Sequence, residues 1–220
     1  MRVGFISQGR LATYAEKERC AYETDISIFG FEGLGEVSYE KELKGETRFF
    51  ENVAMVSKRE QNVVVCGCVT DTRGYKRKSV AVAEKGKLLG VSDLLHAIDG
   101  EVGSGASLKL YETKLGKIGV MVAEDLYFSD GLRALALCGC DFIVCPFGKV
   151  EEIHSVLLRA YAYCYGIPIF FCGIGYSMIA DPSGEITFAT PISPVCTEYT
   201  GSREYHVIET RNRGCYHPCI

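Results

Sequence analysis

The chain has 220 residues, of which 47% are hydrophobic and 24% charged, an ordinary balance for a globular protein with a sizeable core. A net charge of −4 without a basic stripe excludes a nucleic-acid footprint, and no apolar run approaches the roughly 18 residues that a membrane-spanning helix needs. The eleven cysteines sit largely in apolar runs and read as reduced, small core residues rather than a disulfide framework. The opening MRVGFISQGR has no signal-peptide core, so the expectation is a cytoplasmic protein with one domain over residues 1–220.

In chain order, Val3–Ser7 reads as a strand, Leu11–Ala21 as a short helix and Asp25–Phe29 as a second strand, which leads into Gly30-Phe31-Glu32-Gly33. Thr47–Lys58 has helical spacing in Phe50, Val53, Ala54 and Val56, and Asn62–Val69 is a strand. The RGYKRK run, Arg73–Lys78, reads as a solvated hairpin loop. Ser79–Ala83 and Leu88–Val91 form a hairpin about Glu84–Lys87, and Ser107–Glu112 is a further strand. Residues 115–146 then spell a strand–turn–helix–strand unit: Lys117–Ala123, a polar turn, an amphipathic helix over Gly131–Cys140, and Asp141–Cys145 stopped by Pro146. Such units place working groups on the turn after the first strand, and the residue at that turn is Ala123. Helix Glu151–Tyr165, strand Ile167–Gly173, a hairpin about Asp181-Pro182-Ser183-Gly184 and a last strand Tyr205–Glu209 complete the order. This mixture of hairpins with strand–helix alternation predicts a layered α/β sandwich.

GKIGVMVAEDLYFSDGLRALALCGCDFIVCP, with Asp125, Phe128, Arg133, Leu135, Ala136, Gly139, Asp141 and Pro146, resembles the core of the carbon–nitrogen hydrolase (nitrilase) superfamily. YSMIADPSGEI, KSVAVAEKGKLLG followed by His96, and ISIFGFEG resemble three further segments of that superfamily in the right order. The resemblance implies a four-layer αββα sandwich, paired through the elbow helix and its neighbour into a homodimer with an eight-layer αββααββα body. It also implies a site in which a cysteine attacks a nitrile or amide carbon, a glutamate moves the proton, and a lysine and a backbone N–H hold the oxyanion.

Carried across residue by residue, the glutamate falls on Glu32, the lysine on Leu94 and the cysteine on Ala123. Two of the three chemical groups are therefore absent. The leading expectation is a nitrilase-like protein without carbon–nitrogen hydrolase activity, kept as a binding or regulatory subunit for an unidentified small molecule. A second reading moves the nucleophile to Cys145 or Cys172, near the carboxyl ends of strands, for hydrolysis of a small amide. That reading needs a nearby base or cation to activate the thiol; Glu32 could serve as the base, and no cation is evident in the sequence. A third reading gathers Glu32, Glu124 and Asp125 into an acidic pocket, bordered by Phe147, that works through water or a divalent metal. The tail Cys215/His217/Cys219 offers only three local ligands where zinc usually takes four. No metal and no cofactor is expected.

Overall fold

The computed structural model describes residues 1–16, 23–98, 100 and 102–201. The expected strand Tyr205–Glu209, the Cys215/His217/Cys219 tail and the far end of the first helix lie outside these residues. In order, the elements are β1 (Arg2–Ile6), α1 (Leu11–Ala15), β2 (Ile26–Phe29), β3 (Gly35–Ser38), α2 (Tyr39–Leu43), α3 (Phe49–Arg59), β4 (Val63–Thr72), β5 (Tyr75–Glu84) and β6 (Lys87–Asp93). They continue with β7 (Leu110–Thr113), β8 (Gly116–Val120), a 3₁₀ turn (Ala123–Tyr127), α4 (Ser129–Leu137), β9 (Phe142–Lys149) and α5 (Glu152–Tyr165). The last are β10 (Ile169–Ile174), β11 (Tyr176–Ala180), β12 (Ile186–Thr190) and β13 (Val195–Glu198).

Two sheets form. One has the order β13-β1-β2-β4-β5-β6, with β3 also on β4, and the other the order β12-β11-β10-β9-β8-β7. The central pairs β1–β2, β2–β4, β8–β9 and β9–β10 are parallel, and the hairpin strands add antiparallel edges. Alternate residues divide the layers. Phe5, Ile28, Val65, Val80 and Val82 of the first sheet meet Ile118, Val120, Val144, Phe170 and Cys172 of the second in an inter-sheet core. The intervening residues Val64, Cys66, Ala81 and Ala83 pack on α1 and α3 through Leu11, Val53 and Val56. Ile143, Cys145, Ile169 and Phe171 pack on α4 and α5 through Leu132, Leu135, Leu158 and Ala162. Helix, sheet, sheet, helix is the αββα sandwich that the sequence predicts. Among the described residues, no helix is long and apolar enough to cross a membrane.

The strand β4 serves two neighbours. β2 pairs with it along Val63–Cys66 and β3 along Cys68–Asp71. Gly67 lies between, and the Leu34 N–H donates to its carbonyl at 3.2 Å as the turn from β2 to β3 passes over it. That turn carries Glu32.

Two sequence readings are corrected here. Pro146 does not stop its strand: β9 continues to Lys149, and Pro146 pairs in register with Cys172 of β10. The Met121 N–H donates to the Val144 carbonyl, so by alternation Pro146 would also bond on the β8 side. β8 pairs only as far as Val120 opposite Val144, so the missing proline N–H breaks no ladder bond. The Arg73–Lys78 run is not a loop throughout, because β5 begins at Tyr75 and places Lys78 within the ladder opposite Val69.

Candidate functional site

After Val120 the chain passes through Met121 and Val122 and turns sharply. Ala123 has φ +46°, a left-handed conformation that costs a residue with a Cβ roughly 1 kcal/mol or more. The Asp125 N–H donates to the Val122 carbonyl at 3.1 Å and closes the turn. Ala123 is 0% exposed and Leu94 is 1% exposed, and both belong to the inter-sheet core. The residue after β6 and the residue of the elbow therefore lie as apolar side chains in one packed layer.

Asp125 is buried and accepts four hydrogen bonds from the segment that follows Leu94. The Leu95 N–H reaches both carboxylate oxygens at 3.0 Å, and the His96 N–H and His96 Nδ1–H reach Oδ1 at 2.9 Å. The His96 ring stacks on Phe128 with centroids 4.0 Å apart and planes 14° from parallel. Asp125 is thus a fastener that joins the loop after β6 to the elbow.

Glu124 forms an ion pair with Lys78, whose ammonium comes from β5 in the opposite sheet. The two side chains are only 17% and 26% exposed. The other oxygen of Glu124, Oε2, is buried and takes no hydrogen bond among the described residues. Glu32, by contrast, is exposed on the turn after β2, while its neighbour Phe31 packs against the inter-sheet core. The expectation that Glu32 faces a buried pocket is not met. By strand parity Glu32 would follow Ile26 and Ile28 inward, but the turn at Gly30 resets the direction, and Phe31 takes the inward place. Of the three acids of the third reading, Glu32 is exposed, Glu124 is paired and Asp125 is engaged by the loop, and among the described residues they form no group that could hold a metal ion.

The family model described as Carbon-nitrogen hydrolase matches residues 25–193. The chain belongs to the carbon–nitrogen hydrolase family. A protein of Schizosaccharomyces pombe named a "Probable nitrilase" is 27% identical over 123 residues, and the matched stretch covers 49% of this chain and 45% of that protein, so the match spans less than half of the relative's length. Among solved structures, a mutant of the Nesterenkonia AN1 amidase from the nitrilase superfamily superposes with a TM-score of 0.72 at 16% identity, covering 89% of this chain and 88% of the other. The carbon–nitrogen hydrolase of Helicobacter pylori G27 superposes with a TM-score of 0.70 at 16% identity, covering 89% and 87%. At these identities the structural likeness establishes the nitrilase fold.

Within this nitrilase fold the alternative nucleophiles are both buried packing groups. Cys145 faces the α4–α5 layer, and burial raises its thiol well above the usual range, with Asp125 and Glu124 adding to the rise. Cys172 lies in the inter-sheet core, where burial pushes its thiol up to about 12 although the Ser177 hydroxyl points at the sulfur from 3.9 Å. Neither has a cation beside it among the described residues, so each is held as a thiol rather than a thiolate.

Phe147 sits in an aromatic group with His154 and Phe171, at centroid distances of 4.3 and 5.4 Å. His154 Nδ1 accepts the Glu151 N–H at 2.8 Å and caps α5, so the ring proton lies on Nε2, which donates to the Tyr127 hydroxyl at 2.8 Å. Burial lowers the pKa of His154 below its ordinary 6.5. A depressed histidine pKa contributes stability that is present above the unfolded value and lost as pH falls through the folded one. Urea midpoints should therefore fall between pH 7.5 and pH 5. His154→Asn, which keeps an acceptor for the cap without a titrating ring, should lose less over the same interval.

Sequence reasoning missed Lys78 and the joint between His96 and Asp125. The alternation Lys78-Val80-Val82 carried a signal for the first. Nothing local signalled the second, because the partners lie 29 residues apart.

Proposed function

We propose that this chain is a nitrilase-fold binding or regulatory protein that does not perform thiol-dependent hydrolysis of carbon–nitrogen bonds. The observation that carries this reading is Ala123, which holds the strained elbow conformation with no nucleophilic atom on it. Leu94 supports it, because an aliphatic side chain cannot donate to an oxyanion. Loss of a covalent nucleophile can cost on the order of 10⁶ in turnover, and loss of one oxyanion donor about 10²–10³.

Pairing of two copies across α4 and α5 is part of the same reading. Leu137, Ile153, Val156 and Tyr163 are exposed apolar side chains on that face. The ligand is a small molecule of unassigned identity.

The purified chain, incubated with a panel of short aliphatic and aromatic amides and nitriles, should release no ammonia above a buffer control. Glu32→Gln should change nothing. Ammonia release that disappears in the Glu32→Gln protein would overturn the reading and give this chain the kind of activity that the names of the similar nitrilase and amidase carry.

A further inference from the structure

Lys78 shares one face of β5 with Val80 and Val82, two alternate residues that line the inter-sheet core with Leu94 and Ala123. Its carbonyl accepts the Leu94 N–H at 2.8 Å. The backbone of Lys78 is thus the lateral neighbour of the position where the resemblance places a lysine. From there its side chain crosses between the sheets and reaches the carboxylate of the residue immediately after Ala123.

We infer that Lys78 is the cation of the elbow: the positive charge missing at Leu94 is supplied from the adjacent strand, within electrostatic reach of the atom at position 123, with Glu124 as its counter-ion. The inference rests on the proposed reading only in taking Ala123 as the place where a reactive atom would stand. A strut that merely tied the two sheets would have no influence on chemistry at position 123. A cation of the elbow governs it.

Ala123→Cys puts a titrating probe at that atom. The ultraviolet absorbance of the thiolate, followed against pH and taken as the difference from the unsubstituted protein, isolates the introduced thiol from the native cysteines and needs no reagent to enter the core. The charged and titrating groups around the elbow are Lys78, Glu124, Asp125 with its partner His96, and the buried thiols of Cys145 and Cys172, and only the first two are varied. Adding Lys78→Met should raise the midpoint by about one pKa unit or more, and adding Glu124→Gln should lower it by a similar amount. Lys78→Arg should stay closer to the single variant than Lys78→Met does.

Circular dichroism reports which variants are folded. Should Lys78→Met fail to fold, Lys78→Gln takes its place, because loss of the Glu124 charge would lower the midpoint whether or not Lys78 acts there. Equal midpoints with and without the Lys78 charge in the folded variants would overturn the inference and leave the proposed function standing. Ammonia release by the unsubstituted chain would overturn the proposed function and leave these midpoints as they are.

Discussion

Asp125→Ala is expected to lower stability by about 3–5 kcal/mol, because a buried carboxylate that accepts from ring and backbone donors leaves those donors stranded when it is removed. For a chain of this length that is a fall in Tm of roughly 10 °C. The carboxylate takes both backbone N–H groups of Leu95 and His96 and the ring N–H of His96. With it gone, the contact of His96 with Phe128 and the core position of Leu94 are what remain, among the described residues, to hold the loop after β6 to the elbow. Asp125→Asn keeps one acceptor oxygen and should lose about half as much. Thermal unfolding followed by circular dichroism measures both. A shift under about 2 °C for the alanine variant would show that the loop is fixed by other contacts.

Gly67→Ala should be nearly as damaging, by about 3 kcal/mol, for a reason rooted in the backbone. A Cβ on Gly67 would lie 2.9 Å from both the N and the Cα of Phe31 and 3.0 Å from the carbonyl carbon of Gly30. Main-chain atoms cannot swing aside as a side-chain tip can. The turn that carries Glu32 would have to lift from β4, breaking the bond from Leu34 N–H to the Gly67 carbonyl and drawing Phe31 out of the inter-sheet core. Gly148→Ala, where an added Cβ meets nothing within 4 Å, is the matched control and should be close to neutral. Urea unfolding of the two proteins side by side tests the pair.

The layers of this fold were legible because alternation is a strong signal. Val63–Val65 and Val80–Val82 declare two-sided burial, and the glycines and polar residues between them declare turns. What escaped notice needed partners remote in sequence. Pro146 reads as a stop by its own chemistry, and only the early end of β8 makes it harmless within β9. β13 has no strong apolar pattern in Val195–Glu198, and it forms because β1 offers it an antiparallel edge. At the site, the elbow and its alanine could be read directly, since the residues that fix them are neighbours. The direction of Glu32 could not, because a turn of a few residues decides it. Lys78 was concealed by the company of Arg73, Lys76 and Arg77, a charge run that resembles a solvated surface until the register of β5 puts Lys78 deep in the ladder, opposite Val69 and on the face of Val80 and Val82.

The burial of Leu94 limits what substitution there can achieve. Its side chain belongs to the same packed layer as Val80, Val82 and Ala123. A lysine there must place an ammonium stem among those aliphatic groups and give up packing that a leucine provides, a loss that adds to the cost of burying a charge. That loss is incurred while position 123 still lacks a thiol. A cysteine at position 123 alone adds a thiol with no donor at 94. Neither single substitution supplies both a donor and a thiol, so the packed layer that holds Leu94 and Ala123 would have to take up the two groups together.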